Sequence, residues 1–175
     1  MNSNSGGNDA CQSCEFQENL NILRHIYFFS RLPLDTLKVL AYLCEREVFK
    51  AGDTIFQQND DDGQALYIVS GEARLLHHDG SHESEIREYA AGDFIGGLSL
   101  TGKMERLFSL EAKTDTVCLI LYREKFTKAM DQFPDQAPRI FQAMAERLLT
   151  WERNFLNDHA ATCEGCIQFV GVSLL

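Results

Sequence analysis

Positive charge is in short supply in this chain. Sixteen Lys and Arg stand against 26 Asp and Glu, a formal net charge of -10 at pH 7. The deficit argues against a broad nucleic-acid surface, which carries a basic stripe, while leaving room for a small local basic pocket. Long apolar runs are missing as well. Met1 to Asp9 is mostly Asn, Ser and Gly, which is not a secretory signal, and no segment is long enough to span a bilayer. The cytoplasm is the expected compartment, and there six cysteines are expected as thiols or metal ligands rather than disulfides. No nucleophile–base motif stands out, and the carboxylates fall where turns explain them, so an enzyme is not expected. Asp60-Asp61-Asp62 lacks the glycine and later glutamate of a calcium loop and reads as a solvated acidic turn. His25, His77, His78, His82 and His159 show no ligand spacing and read as surface residues.

What is present is one domain's worth of chain, 175 residues, with a clear change of period along it. Leu20, Ile22, Leu23, Ile26 and Phe29 predict an amphipathic helix over Glu18 to Phe29. Pro33 interrupts the pattern and can open the next helix, whose inner face is Leu34, Leu37, Leu40, Ala41 and Cys44. Strand signals follow at Thr54 to Phe56, Ala65 to Val69, Glu72 to His78, Ile86 to Tyr89, Leu107 to Ala112 and Thr116 to Tyr122. They are separated by Gly and Asp turns, including an Asp79-Gly80 hairpin signal. Many short strands at near-regular spacing predict an antiparallel sandwich or barrel. Helix returns over Arg123 to Asp131 and from about Pro138 to Asn157. In the last helix Phe141, Met144, Leu148, Trp151 and Phe155 step by three and four, a heptad seam that predicts a two-helix dimer contact. Ile140, Leu149 and Leu156 are the stripe expected to face the chain's own strands.

Between the strands lies Phe94-Ile95-Gly96-Gly97-Leu98-Ser99-Leu100, with Arg106 a few residues on. Adjacent glycines let the backbone turn tightly and approach a ligand closely. Main-chain N–H groups in such a turn point at anions, and a downstream arginine can clamp a phosphate through its planar fork of donors. Plain punctuation by a Gly-Gly turn is the alternative.

Taken in order, these residues resemble the cyclic nucleotide-binding domain of the catabolite activator protein superfamily. The resemblance covers residues 19 to about 158. It rests on Phe49-Lys50-Ala51-Gly52-Asp53-Thr54-Ile55-Phe56, Leu66-Tyr67-Ile68-Val69-Ser70-Gly71-Glu72-Ala73, Gly92-Asp93-Phe94-Ile95-Gly96, Arg106, Ala112 and the long final helix. It implies an α+β fold: an eight-stranded antiparallel jelly-roll β-barrel, flanking N-terminal helices, a short phosphate-binding helix after Gly96, and a long C-terminal helix that often dimerises. Gly96, Gly97, Leu98, Ser99, Arg106 and Leu107 are the ligand-binding candidates it implies, with a cyclic nucleotide (cAMP or cGMP) as cofactor. Arg106 matches the arginine that pairs with the cyclic phosphate. Gly97 stands where the family has the glutamate that accepts the ribose 2′-hydroxyl, and Leu107 and Phe108 replace small residues after the arginine. Loss of one charged hydrogen bond at a buried site costs about 1.5–3 kcal/mol. Three outcomes stay open: weak cyclic nucleotide binding, another anion clamped by Arg106 with Lys103, or a scaffold that binds nothing.

The cysteines suggest a second chemistry. Cys11-x-x-Cys14 and Cys163-x-x-Cys166 form matched pairs near the two ends, and four thiolates complete a tetrahedral site for zinc or iron if the ends meet. Neither pair is followed by His, so covalent haem is not indicated. There is also a resemblance to the fumarate–nitrate reduction regulators, whose N-terminal cysteines and one barrel-strand cysteine hold an iron–sulfur cluster. Cys11, Cys14 and Cys118 fall at similar positions, although the third N-terminal cysteine of that pattern is absent. Cys44 and Cys118 sit on apolar faces and otherwise read as core residues.

The expected organisation is a flexible leader (1–17), a cyclic nucleotide-binding-like domain (18–158) and a Cys-x-x-Cys segment with an apolar tail (159–175). No helix-turn-helix follows the long helix and the charge balance is acidic, so DNA binding is not expected; the apolar tail is too short to span a bilayer, so membrane insertion is not expected either. The expected function is a stand-alone effector-sensing module that signals through its C-terminal helix to a protein partner, as a homodimer. The alternative is a redox or metal sensor on the terminal cysteines, with the barrel as scaffold.

Overall fold

The computed structural model describes residues 6–159, with side chains from Cys14 to Asn157. Four α-helices and eight strands follow one another as α1 (Gly6–His25), α2 (Leu34–Leu43), β1 (Glu45–Phe49), β2 (Thr54–Phe56), β3 (Gln64–Ser70), β4 (Glu72–Asp79), β5 (His82–Ala90), β6 (Phe94–Ile95), β7 (Ser109–Ala112), β8 (Thr116–Tyr122), α3 (Arg123–Gln132) and α4 (Ala137–His159). The strands form two four-stranded antiparallel sheets, ordered β1-β8-β3-β6 and β2-β7-β4-β5. The expected eight strands and antiparallel pairing are present, but the expected closed barrel is not. The two sheets stack as an open sandwich, because no ladder joins one sheet to the other.

Alternation along the strands decides what lies between the sheets. Leu66 and Ile68 of β3 stand opposite Ile120 and Cys118 of β8. All four are fully buried, and with Ile55, Phe56, Ala73, Leu75, Leu110 and Ala112 they make the sandwich interior. The intervening residues Ala65 and Leu121 belong to a second core, filled by Leu20, Leu23, Ile26, Phe28, Phe29, Leu37, Leu40 and Phe126 from the helical segments. β3 and β8 are therefore covered on both faces, which is why they read as near-continuous apolar runs. β5 is the opposite case. It is exposed along nearly its whole length and charged, as suits a sheet edge.

Several boundaries differ from the sequence expectation for identifiable reasons. α1 begins at Gly6 rather than near Glu18, since no proline interrupts the polar stretch ahead of it. Pro33 takes the position just before α2 rather than opening it. β1 and β6 carry no strand signal of their own. β1 runs as three charged residues and then two apolar ones, with no alternation, and is an edge strand, zipped onto β8 from Glu45↔Ile120 to Phe49↔Thr116. β6 has only two residues. In α4 Ile140 is buried as expected, but Leu149 and Leu156 are exposed, while Ala143 and Glu152 are buried instead. Glu146 of the same helix accepts from Tyr27 Oη at 2.9 Å and from Arg31 Nη2 at 2.7 Å.

Candidate functional site

The stretch Gly97–Leu100 forms one turn of 3-10 helix directly after β6. Its lead residue, Gly96, has φ 82°, a left-handed conformation that favours glycine. Space forbids a side chain there as well. A β-carbon on Gly96 would lie 2.7 Å from Nη1 of Arg106 and 2.8 Å from the Gln64 carbonyl oxygen. The first hydrogen bond of the turn runs from Ser99 N–H to Gly96 O at 2.9 Å. The amides of Gly97 and Leu98 precede it and find no acceptor inside the turn.

Beside this turn lies a cavity of about 300 Å³ lined by Phe56, Leu75, Tyr89 and Ile95, and by residues 96–99 and 104–108. All six ligand-binding candidates, Gly96, Gly97, Leu98, Ser99, Arg106 and Leu107, line it together. Phe108 lines it too and turns its ring edge-on to His77 at 5.7 Å. Leu107 does not plug the hollow; it is 73% exposed. Lys103, expected as a second clamp, is exposed and is not a lining residue.

Arg106 is 8% exposed, so its charge needs compensation in place. Asp62 supplies it through a bidentate pair: Nε donates to Oδ2 at 3.0 Å and Nη2 to Oδ1 at 2.7 Å. Nη2 also donates to the Gln64 carbonyl at 2.6 Å, and the guanidinium lies 4.1 Å above the Phe56 ring. A guanidinium has five N–H donors. Three are engaged by Asp62 and Gln64, while those on Nη1 make no hydrogen bond among the described residues. Nη1 is the guanidinium atom nearest Gly96, on the side of the anion-type turn.

Asp60-Asp61-Asp62 is therefore not the solvated turn its composition suggested. Arg106 N–H donates to Asp60 O at 2.8 Å and Asn59 N–H to Arg106 O at 2.8 Å, which locks the loop against the arginine's backbone. Asp61 takes both terminal nitrogens of Arg123 and the Met104 amide at 3.2 Å. The Arg123 hydrogen bond, assisted by the Met104 amide, holds the Asp61 carboxyl down at about 2. Arg123 Nε donates to the Ser99 carbonyl at 2.6 Å. Asp62 and Arg123 are the functional neighbours that sequence reasoning missed. Ion pairs across 44 and 62 residues leave no local signal.

Gly97 is packed rather than open. A β-carbon there would meet the Phe94 ring at 2.9 Å and the Phe28 ring at 3.0 Å. These rings belong to an aromatic cluster in which Phe28, Phe29, Phe94 and Phe126 have centroids 5.0–6.5 Å apart.

The cysteines with described side chains, Cys14, Cys44 and Cys118, are dispersed. Cys14 is exposed on α1, and the helix also takes in Cys11. Cys118 is wholly buried in the sandwich interior, where burial and then Glu47 push its thiol up to about 12. Burial does the same to Cys44, also to about 12. Among the described residues, no group of three or more His, Cys, Asp and Glu is placed to hold a metal. Cys163 and Cys166, and the side chain of Cys11, lie outside the described residues. No described helix is long and apolar enough to cross a membrane.

Comparison with known proteins agrees with this geometry. Residues 46–133 match the cyclic nucleotide-binding domain. The chain is 34% identical over 123 residues to the cyclic AMP receptor protein of Thermus thermophilus, across 69% of this chain and 56% of that protein. It is 31% identical over 119 residues to a cGMP-dependent protein kinase of Toxoplasma gondii, across 67% of this chain and 12% of the kinase. The chain thus spans little more than half of the first relative and a small part of the second. Among solved structures, a cyclic nucleotide-binding-like protein from Brucella abortus superposes with a TM-score of 0.60 at 25% identity, over 65% of this chain and 98% of that one. With the matched segment running from β1 to α3 and the cavity formed at its centre, the chain belongs to the cyclic nucleotide-binding domain family.

Proposed function

We propose that the chain is a regulatory effector-sensing module. A cyclic nucleotide, or a small anion of similar shape, enters the cavity beside Gly96 to Ser99, takes the donors of Arg106, and is signalled through α4 to a protein partner. The observation that carries this reading is the state of Arg106. It is buried and braced by Asp62, yet among the described residues Nη1 remains unbonded beside Gly96, a left-handed glycine whose place a side chain could not take. Apolar walls from Phe56, Leu75, Tyr89 and Phe108 suit a flat base or another apolar body attached to the anion. The relatives, a cyclic AMP receptor protein and a cGMP-dependent protein kinase, support the same ligand class. The module is regulatory rather than catalytic and works in the cytoplasm. It acts as a homodimer through the exposed Phe141, Leu148 and Trp151 of α4.

Binding is expected to be weak. Gly97 offers no carboxylate to a ribose hydroxyl, and the lost bond lowers affinity by roughly ten- to a hundredfold. Isothermal titration calorimetry with cyclic AMP and cyclic GMP, on the wild type and on Arg106→Ala, tests the reading. The wild type should give saturable heat, and the variant should weaken binding by at least about tenfold. Flat traces from both proteins would overturn it.

A further inference from the structure

Arg123 is the first residue of α3, a position where a cation opposes the helix dipole and gains nothing from it. Its bonds explain the placement. Its amide donates to Gly63 O at 2.7 Å, Nε to Ser99 O at 2.6 Å, and both terminal nitrogens to Asp61. Ser99 is a buried residue of the cavity wall, and Asp61 is the chain neighbour of Asp62, which braces Arg106. One guanidinium on α3 therefore holds the anion-type turn on one side and the arginine-bracing loop on the other. α3 itself passes through residues 134–136 into α4.

We infer that Arg123 is a positioning residue that couples filling of the cavity to the position of α3 and α4. An anion that draws on Arg106 or on the amides of the turn shifts Ser99 or the acidic loop, and Arg123 is fastened to both. A ligand moves a helix only through such a difference between the two states. The inference rests on the binding reading above, and its test separates the two.

Trp151 is the chain's only tryptophan and sits on α4, stacked on Phe155 at 5.5 Å, so its emission reports that helix. Cyclic AMP and cyclic GMP are titrated into the wild type, Arg123→Gln and Asp61→Asn. Calorimetry follows binding, Trp151 fluorescence follows α4, and melting temperature checks folding. Arg123 and Asp61 do not line the cavity, so both variants should bind with Kd within about threefold of wild type while the saturated Trp151 response falls at least about fivefold. Arg123→Lys should restore the charge opposite Asp61 but recover less than about half of the response, because an ammonium lacks the fork that meets two acceptors in a fixed plane. Asp61→Asn keeps the shape of the loop and decides the matter if Arg123→Gln does not fold. Full Trp151 response in a variant that binds would overturn the inference. So would a wild type that binds with no Trp151 response, which would leave the binding reading standing. Absence of binding by the wild type overturns the binding reading and this inference with it.

Discussion

Replacing Gly96 by alanine should cost this fold distinctly more than replacing Gly92, although both glycines have positive φ. Gly92, at φ 103°, would point a β-carbon into open space, so Gly92→Ala isolates the backbone penalty. That penalty is about 1–2 kcal/mol for an L-residue held in the left-handed region. Gly96→Ala incurs a similar penalty at φ 82° and adds a collision. Its β-carbon would sit 2.8 Å from the Gln64 carbonyl and 2.7 Å from Arg106 Nη1, and Gln64 is fixed in β3 opposite Tyr122. The guanidinium must then retreat, loosening its bond to Gln64 O and straining the pair with Asp62. One charged hydrogen bond is worth about 1.5–3 kcal/mol, which sets the difference between the two variants at about 1.5–3 kcal/mol. For a chain of this size each kcal/mol moves the melting temperature by about 2–4 °C, so Gly96→Ala should melt about 3–12 °C below Gly92→Ala. Thermal unfolding followed by circular dichroism measures this directly. Melting temperatures within about 2 °C of each other would refute the claim that Gly96 is kept small by the arginine.

Two further outcomes follow from burial. With iodoacetamide at pH 8 and peptide mapping, Cys14 should be labelled while Cys44 and Cys118 resist. Thiols held near 12 are ionised about once in ten thousand molecules at that pH; labelling of Cys118 as fast as Cys14 would contradict its placement in the core. Leu148→Glu puts a charge into the exposed stripe of α4 and should convert a wild-type dimer to monomer in sedimentation velocity without lowering the melting temperature. Equal masses for the two proteins would remove α4 as the contact.

Local signals made much of the fold legible. β8 was readable from end to end because it is apolar on both faces, and the Asp79-Gly80 signal marks the hairpin between β4 and β5. Positive φ at Gly52, Gly71, Gly92 and Gly96 accounts for the glycine spacing on which the resemblance rested. β1 was not legible, since a half-polar edge strand draws its definition from the partner it pairs with. Nor was the openness of the sandwich, because a strand's periodicity says which face is buried and nothing about whether the sheet edges join.

The site divides along the same line. Gly96 and Arg106 announce themselves because backbone freedom and a lone cation are visible one residue at a time. Asp62 and Arg123 become functional only when the chain folds a loop onto residues tens of positions away, and composition alone assigns such a loop to solvent. Gly97 shows the limit most clearly. From sequence it is the absence of a ribose acceptor. In the structure the volume beside it is taken by the Phe28 and Phe94 rings, which a β-carbon would meet at 2.9–3.0 Å. The missing carboxylate and the aromatic packing are two sides of one arrangement. A glutamate restored at this position would first have to displace the rings that bind the helical segment before α2 to the turn beside the cavity.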